Sequence, residues 1–169
     1  MRGRSSPLLL GALAGIAGAA AMTGAMRMLH RRLPPGERYA LPPREIVQGA
    51  LLTQVGPTLA EPDRQRLTVA GHFGYGAAMG SLLAAVRPSS GVAAGAAYGV
   101  LVWAGSYLGL LPALGVLKPA TRHPLSQNLL MVGAHLVWGA TTAITLRELE
   151  RAEAEIFAGA EAPDVRQAD

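Results

Sequence analysis

Residues 5–26 read SSPLLLGALAGIAGAAAMTGAM, and this run contains no charged side chain before Arg27. A helix needs about 20 consecutive apolar residues to cross the hydrocarbon core of a bilayer, and the run is long enough. Arg31 and Arg32 follow Arg27 closely, as basic residues do after a segment that stops in the membrane. The stretch therefore predicts a first membrane-spanning helix over about residues 7–29.

The same stretch also has the features of a cleavable secretory signal. Arg2 and Arg4 precede the apolar run, and Ala17-Gly18-Ala19 resembles a cleavage site. The apolar run continues past that site, which favours a retained helix. Cleavage stays open as the alternative at this point.

Three later segments have the same character as the first. Each is an apolar run rich in Gly and Ala, and lipid offers no partner for backbone groups that are left unpaired. An open chain satisfies those groups inside a bilayer only as α-helix, so we predict an all-α integral membrane bundle of four transmembrane helices. The later spans are predicted at about residues 68–86, 91–117 and 127–146, with a kink or an end of regular helix at Pro112.

The amount and position of charge agree with a membrane protein. Charged residues make up only 15% of the chain, against about 25% in an average soluble domain. No Asp or Glu falls inside a predicted span, as expected when burying an ion in hydrocarbon costs roughly 2.5–3.5 kcal/mol. The net charge of +4 would suit a nucleic-acid binder, but the arginines flank apolar runs instead of forming a basic face. The predicted partner is therefore the lipid bilayer and not nucleic acid.

The chain is predicted to form a single transmembrane domain over residues 1–157, followed by a disordered polar tail over residues 158–169. Between the first two spans, Pro42-Pro43 precedes the segment REIVQGALLTQVG at residues 44–56. Apolar side chains of this segment fall on one helical face, and proline suits a first helical turn. We predict a short amphipathic helix there, lying either on the membrane surface or against the bundle.

The distribution of basic residues predicts the orientation of the bundle. Lys and Arg are more numerous in the loops over residues 30–67 and 118–126 than on the opposite side. Loops rich in Lys and Arg stay in the cytoplasm. The pattern therefore favours cytoplasmic loops, with both termini outside the cytoplasm.

The sequence also contains a candidate internal repeat. The first and third spans begin with similar glycine spacing, GALAGIAG at residues 11–18 and GVAAGAAYG at residues 91–99. The second and fourth share the pattern His-x-x-(Tyr/Trp)-Gly-Ala, at residues 71–77 and 134–140. These matches indicate two helical hairpins of one orientation, a recurring plan in membrane proteins. Chance similarity between Gly/Ala-rich helices is the alternative.

His72 and His135 hold equivalent positions in that repeat and lie inside predicted spans. An ionisable residue within a span is a functional candidate because it must find a partner there. Three roles are open, namely ligation of a metal or haem iron, relay of protons, and a hydrogen bond across a helix interface. The interhelical hydrogen bond is the commonest of these and is our leading interpretation.

Four aromatic residues complete the set of candidate functional or interhelical side chains. Tyr75 and Trp138 follow the two histidines at the same spacing, while Tyr98 and Trp103 lie deep in the third span. A buried phenol or indole needs a hydrogen-bond partner, and either histidine could provide one for this second pair. The sequence has no nucleophile–base arrangement and no paired carboxylates. We therefore predict no catalytic residue. Two histidines without a third ligand make a weak metal site unless haem is present, so we also predict no bound metal and no cofactor.

Small residues recur at helical spacing within the spans, as in Gly11-x-x-x-Gly15 and Gly76-x-x-x-Gly80. Such faces let helix backbones approach each other closely. Glycine-rich turns that cradle phosphates need a preceding strand, which the sequence does not predict here. The small faces could also support a homo-oligomer.

Five short motifs, in one order, resemble the YagU-like family of small bacterial inner-membrane proteins, whose biochemical function is undefined. They are LPPRE at residues 41–45, GHFGYGAAMG at 71–80, WAGSYLGLLPALG at 103–115, RHP at 122–124 and AHLVWG at 134–139. The resemblance covers about residues 11–146. It implies a bacterial multi-pass plasma-membrane protein and carries no established catalytic residues.

Sequence and resemblance together favour a non-enzymatic membrane protein with a structural or stress-related role. A small transporter or proton-handling protein that uses the intramembrane histidines is the first alternative. A haem or metal carrier is the second.

Overall fold

The computed structural model describes residues 6–38, 60–86 and 91–161, together with Pro43, Arg44, Ile46, Val47 and Gly49 of the first loop; of residues 157–161 it describes the backbone alone. The described residues contain helices and no strand. Four of the helices are long and apolar enough to cross a membrane. The predicted all-α fold with four such helices is confirmed, and the chain is a multi-pass membrane protein by this criterion.

The four long helices are connected in simple sequence order. Short 3-10 turns follow the first helix, at Pro35–Glu37, and precede the last, at Ala120–Arg122. The long helices are α1 (Pro7–Arg32), α2 (Glu61–Val86), α3 (Val92–Ala113) and α4 (Leu125–Glu161).

Two helices extend beyond the apolar runs that predicted them. Helix α2 begins at Glu61 because its first turn carries Glu61 and Asp63, and acidic side chains stabilise the positive end of the helix dipole. Helix α4 continues through Glu161, so its backbone passes the predicted start of the polar tail at residue 158. Residues 162–169 of that tail lie outside the described residues.

Helix α3 changes its winding before it ends. Residues Gly105–Leu110 form a π-helical turn, in which the backbone N–H of Leu111 donates to the carbonyl of Ser106. Pro112 has no N–H to donate, and its ring crowds the carbonyl four residues earlier, so a wider turn before it relieves the clash. Gly115 then adopts a φ of 67°, and the N–H groups beyond Ala113 close a Schellman-type end. The regular helix therefore ends before residue 117, as the proline predicts.

The helices pack in an unequal way. Helix α1 packs against both α2 and α4, and α3 packs against α4, whereas α2 and α3 are not closely packed on each other. A Cβ atom on Gly15 would collide with the backbone of Gly76, and one on Gly95 would collide with the backbone of Gly139. Glycine is needed at these crossings because the helix backbones are in contact there.

These two crossings occupy the same register of the predicted repeat. Gly15 and Gly95 are equivalent in the first and third spans, and Gly76 and Gly139 are equivalent in the second and fourth. Packing of α1 on α2 therefore matches the packing of α3 on α4, and this match supports two similar hairpins.

The two hairpins differ at Gly18 and Tyr98, which are equivalent residues of the repeat. Gly18 on α1 lies against Trp138 and Thr142 of α4, with no room for a side chain. Tyr98 on α3 instead reaches α2, where its hydroxyl donates to the carbonyl of Met79 at 2.9 Å. A tyrosine therefore occupies the wider α2–α3 interface at the position where a glycine lets α1 and α4 come into contact.

The predicted amphipathic helix of the first loop lies mostly outside the described residues. Its described members, together with the preceding Pro43, have helical backbone. Ile46 packs against the core of the bundle, which agrees with a helix lying on the protein at this point.

Candidate functional site

A cavity of about 280 Å³ occupies the space between α2 and α3 and reaches inward to α1 and α4. Its walls are mainly apolar, and three residues of the first loop cover one side. The residues lining it include His72 and Tyr75 of α2, Val102, Ser106 and Tyr107 of α3, Met22 of α1, Met131, His135 and Trp138 of α4, and Pro43, Ile46 and Val47 of the loop. The two intramembrane histidines, equivalent in the repeat, thus line the same space.

His135 is almost fully buried and bonds only to its own helix. Its Nδ1 lies 2.8 Å from the carbonyl oxygen of Met131, one turn earlier. A carbonyl only accepts, so Nδ1 carries the hydrogen, and in the neutral ring Nε2 carries the lone pair. Within the part of the chain that the structure describes, Nε2 makes no hydrogen bond. His135 therefore does not tie two helices together, contrary to our leading interpretation of this residue.

His72 does connect two helices. Its Nε2 lies 3.1 Å from the hydroxyl of Thr23 and 3.4 Å from the carbonyl of Ala19, both on α1. The Thr23 hydroxyl donates to that same carbonyl at 2.8 Å. Because the hydroxyl hydrogen is already used, Nε2 of His72 acts as the donor to both oxygens. The interhelical hydrogen bond predicted for His72 is confirmed.

A pair of hydroxyls bridges the two helices that are farther apart. The hydroxyl of Tyr75 on α2 lies 2.7 Å from that of Ser106 on α3. Ser106 is buried in the π-helical turn, whereas Tyr75 is 41% exposed on the outer side of the cavity. Because Tyr75 lines the cavity and is partly exposed, the cavity reaches the outer surface of the bundle beside Tyr75, near the middle of α2.

Trp138 closes the inner wall of the cavity. Its indole N–H donates to the carbonyl of Gly15 on α1 at 3.2 Å, and its side chain is buried. The ring of Tyr98 lies 5.9 Å from the Trp138 ring, behind the cavity wall. Trp138 thus connects the hairpins through α4 and α1, as Tyr75 connects them through α2 and α3.

Tyr98 and Trp103 do not line the cavity, and neither bonds to a histidine. The expectation that a histidine provides the hydrogen-bond partner of this pair is therefore wrong. The carbonyl of Met79 accepts the Tyr98 hydrogen bond because Tyr98 is directed toward α2. The Trp103 ring stacks on Tyr107, with ring centroids 6.3 Å apart. Its indole N–H is buried without a hydrogen-bond partner among the described residues.

Sequence reasoning missed the side chains that complete the site on α3. Ser106 and Tyr107 lie in the π-helical turn, and Tyr107 meets the His135 ring edge-to-face with centroids 6.2 Å apart. A π-turn redirects side chains relative to a regular helix and is frequent at functional sites. Pro112 was the available signal, because it marks where the regular winding of α3 fails.

The described lining residues and the volume of the cavity limit the kind of ligand that it could hold. Within the described residues, no group of three or more His, Cys, Asp and Glu side chains is placed to hold a metal ion. The volume of about 280 Å³ is less than twice the cavity of about 150 Å³ that holds one benzene ring. The space suits one substituted ring and is small for the four pyrrole rings of a haem.

The comparisons with known proteins add no relative. No family model matches the chain, and no curated protein and no solved structure matches it. The resemblance to the YagU-like family stays a prediction from the motifs.

Proposed function

We propose that this multi-pass membrane protein binds a small, mainly apolar molecule taken from the lipid phase, in the cavity between α2 and α3. The observation that carries the proposal is His135, a buried polar side chain that faces the cavity and does not tie helices. An ionisable side chain within a membrane-spanning helix must find a partner there, and such residues mark candidate functional sites. A bound molecule would supply the partner that the helices do not.

The exposure of Tyr75 on the side of the bundle supports the lipid phase as the source of the bound molecule. Tyr75 is 41% exposed near the middle of α2, a helix long and apolar enough to cross a membrane. A water-soluble molecule would have to cross lipid to reach that side of the bundle, whereas a membrane-soluble one is already there. Mainly apolar walls around a few placed polar groups are typical of small-molecule sites.

Binding is compatible with the role of His72 as a helix tie. His72 holds α2 to α1 through Thr23 and Ala19, which keeps the cavity wall in position. A non-enzymatic binding protein needs no nucleophile or carboxylate pair. We further propose the plasma membrane of a bacterium, with both termini outside the cytoplasm, from the family resemblance and the basic loops.

Fluorobenzene offers a direct test, because it is apolar, of suitable size and visible by fluorine NMR. Gly71 lines the cavity and Gly74 does not, and a Cβ on either glycine would meet nothing within 4 Å. Gly71→Leu should therefore fill the cavity without disturbing the bundle, and Gly74→Leu is its matched control on the same helix. Each protein would be titrated in lipid nanodiscs, with empty nanodiscs correcting for partition into lipid.

We expect saturable binding of fluorobenzene to the native protein and to Gly74→Leu, and its loss in Gly71→Leu. Binding that persists unchanged in Gly71→Leu would place the molecule elsewhere and contradict the proposal. Simple partition, equal to that of empty nanodiscs, would leave His72 and His135 with structural roles alone.

A further inference from the structure

Some hydrogen-bond donors and acceptors around the cavity have no partner among the described residues. Their chemistry indicates which donors and acceptors a ligand must carry. The Nε2 atom of His135 is an acceptor, because Nδ1 holds the hydrogen that is donated to Met131. Nε2 lies on the side of the ring remote from that bond, and the residue lines the cavity. A ligand that satisfies this atom must donate a hydrogen.

A pair of hydroxyls that also lines the cavity has the opposite capacity. Tyr75 and Ser106 carry one hydroxyl hydrogen each, and only one of these hydrogens lies in the bond between them. Whichever residue donates, the hydrogen of the other has no acceptor among the described residues. A ligand that satisfies the pair must therefore present an oxygen that accepts.

The aromatic and sulfur-containing side chains that line the cavity favour a flat ring. Trp138 and Tyr107 line the cavity, with the Tyr107 ring edge-on to His135 at an interplanar angle of 84°. Aromatic rings stack or meet edge-to-face with favourable energies beyond simple burial. The methionines Met22 and Met131 supply polarizable contacts of the kind that sulfur makes with rings.

We propose that the ligand is a single hydroxylated aromatic ring, a phenol or the head group of a hydroquinone, held between His135 and the Tyr75–Ser106 pair. This inference rests on the proposed function and adds the chemical class of the molecule. The ring hydroxyl donates to Nε2 of His135. In a hydroquinone, the second oxygen accepts from the hydroxyl pair, and any chain on the ring leaves sideways between α2 and α3.

The test compares para-fluorophenol with para-fluoroanisole, which has a methyl group in place of the hydroxyl hydrogen. Fluorobenzene serves as the reference for cavity binding without a hydrogen bond. Each would be titrated against the native protein, His135→Phe and Gly71→Leu in nanodiscs, with affinities corrected for partition into empty nanodiscs. His135→Phe keeps a ring at the position and removes the acceptor.

We expect para-fluorophenol to bind the native protein about two- to tenfold more tightly than para-fluoroanisole, as one net hydrogen bond provides. His135→Phe should abolish this preference and still bind fluorobenzene, which shows that the variant is folded. Equal affinities of the two compounds for the native protein, with fluorobenzene still bound, would overturn the ligand class and leave the proposed function standing. If the native protein does not bind fluorobenzene, both the ligand class and the proposed function are overturned.

A displacement arm separates the two sources of such a ring. Plain hydroquinone and a hydroquinone that carries a prenyl chain would each compete with bound para-fluorophenol. Stronger displacement by the prenylated compound identifies a lipid-borne head group, and stronger displacement by plain hydroquinone identifies a free phenolic compound. Failure of both to displace para-fluorophenol would contradict the proposal.

Discussion

The hydroxyl of Tyr75 on α2 lies 2.7 Å from the hydroxyl of Ser106 on α3, across a gap that the two helix backbones do not close. This contact and the bond from Tyr98 to Met79 connect two helices that are otherwise separated. The cavity occupies the gap, so its width depends on side chains more than on backbone packing. Only the Tyr75–Ser106 contact involves residues that line the cavity, so exchange of a ligand with the bilayer should respond to Tyr75 and not to Tyr98.

Tyr75→Phe should speed the exchange of fluorobenzene between cavity and lipid, because it removes the bond that holds the opening. The loss in stability should be small, about 0.6 kcal/mol for one hydrogen bond in a membrane protein. Fluorine NMR line widths would report the exchange rate. Tyr98→Phe is the matched control, since its hydroxyl bonds behind the cavity, and an equal effect of both substitutions would contradict a gate at Tyr75.

Gly18→Ala should destabilise the bundle where α1 meets α4. The added Cβ would lie 2.9 Å from the carbonyl oxygen of Trp138 and would also press on the Thr142 hydroxyl. Overpacking of this kind costs about 1–3 kcal/mol, and thermal unfolding followed by size-exclusion chromatography would measure it.

Gly24→Ala is the matched control on the same helix, because a Cβ there meets nothing within 4 Å. Alanine favours helix over glycine by about 1 kcal/mol, so this variant should be as stable as the native protein or more so. Equal melting temperatures for the two alanine variants would contradict the close contact of α1 with α4.

The two histidines should differ in their effect on stability. His72→Phe removes a bond between α2 and α1, with an expected loss of about 0.6–2 kcal/mol. His135→Phe removes a bond within one helical turn, whose carbonyl keeps its backbone partner, so the loss should be smaller. Melting temperatures of the two variants in the same detergent would settle the order, and a larger loss for His135→Phe would contradict the assignment of roles.

Helix α1 should be retained in the mature protein. Ala14 is fully buried against α2 and α4, and the carbonyl of Gly15 accepts the Trp138 hydrogen bond. Cleavage after Ala19 would remove both groups and expose the core to lipid. Intact mass spectrometry of protein purified from membranes would measure the N-terminus, and a mass that begins after Ala19 would contradict this account.

Much of this architecture follows from the sequence. The uncharged runs predict the four helices because the cost of burying charge is large, and the repeat predicts that His72 and His135 share one environment. The separation of α2 from α3 could not be predicted in this way. Gly18 and Tyr98 are equivalent in the repeat, and the difference between their interfaces is visible only when the packed helices are compared.

The polar side chains of the cavity also could not be predicted from the sequence pattern. Ser106 and Tyr107 reach it through a π-helical turn, and helical periodicity assumes regular winding. The bond of His135 to its own helix depends on a side-chain rotamer, which spacing does not specify. Both features are visible only in the folded structure.

The central claim, that a small apolar molecule occupies the space between α2 and α3, can be tested on the methionines of the native chain. Met22 and Met131 line the cavity, while Met28 is 52% exposed on α1. Methyl-labelled methionine would be followed by NMR in nanodiscs during a fluorobenzene titration. The account predicts saturable shifts of the Met22 and Met131 methyl groups, with Met28 unchanged or drifting linearly as fluorobenzene dissolves in lipid. Shifts confined to Met28, or equal and unsaturable at all three methyls, would contradict it.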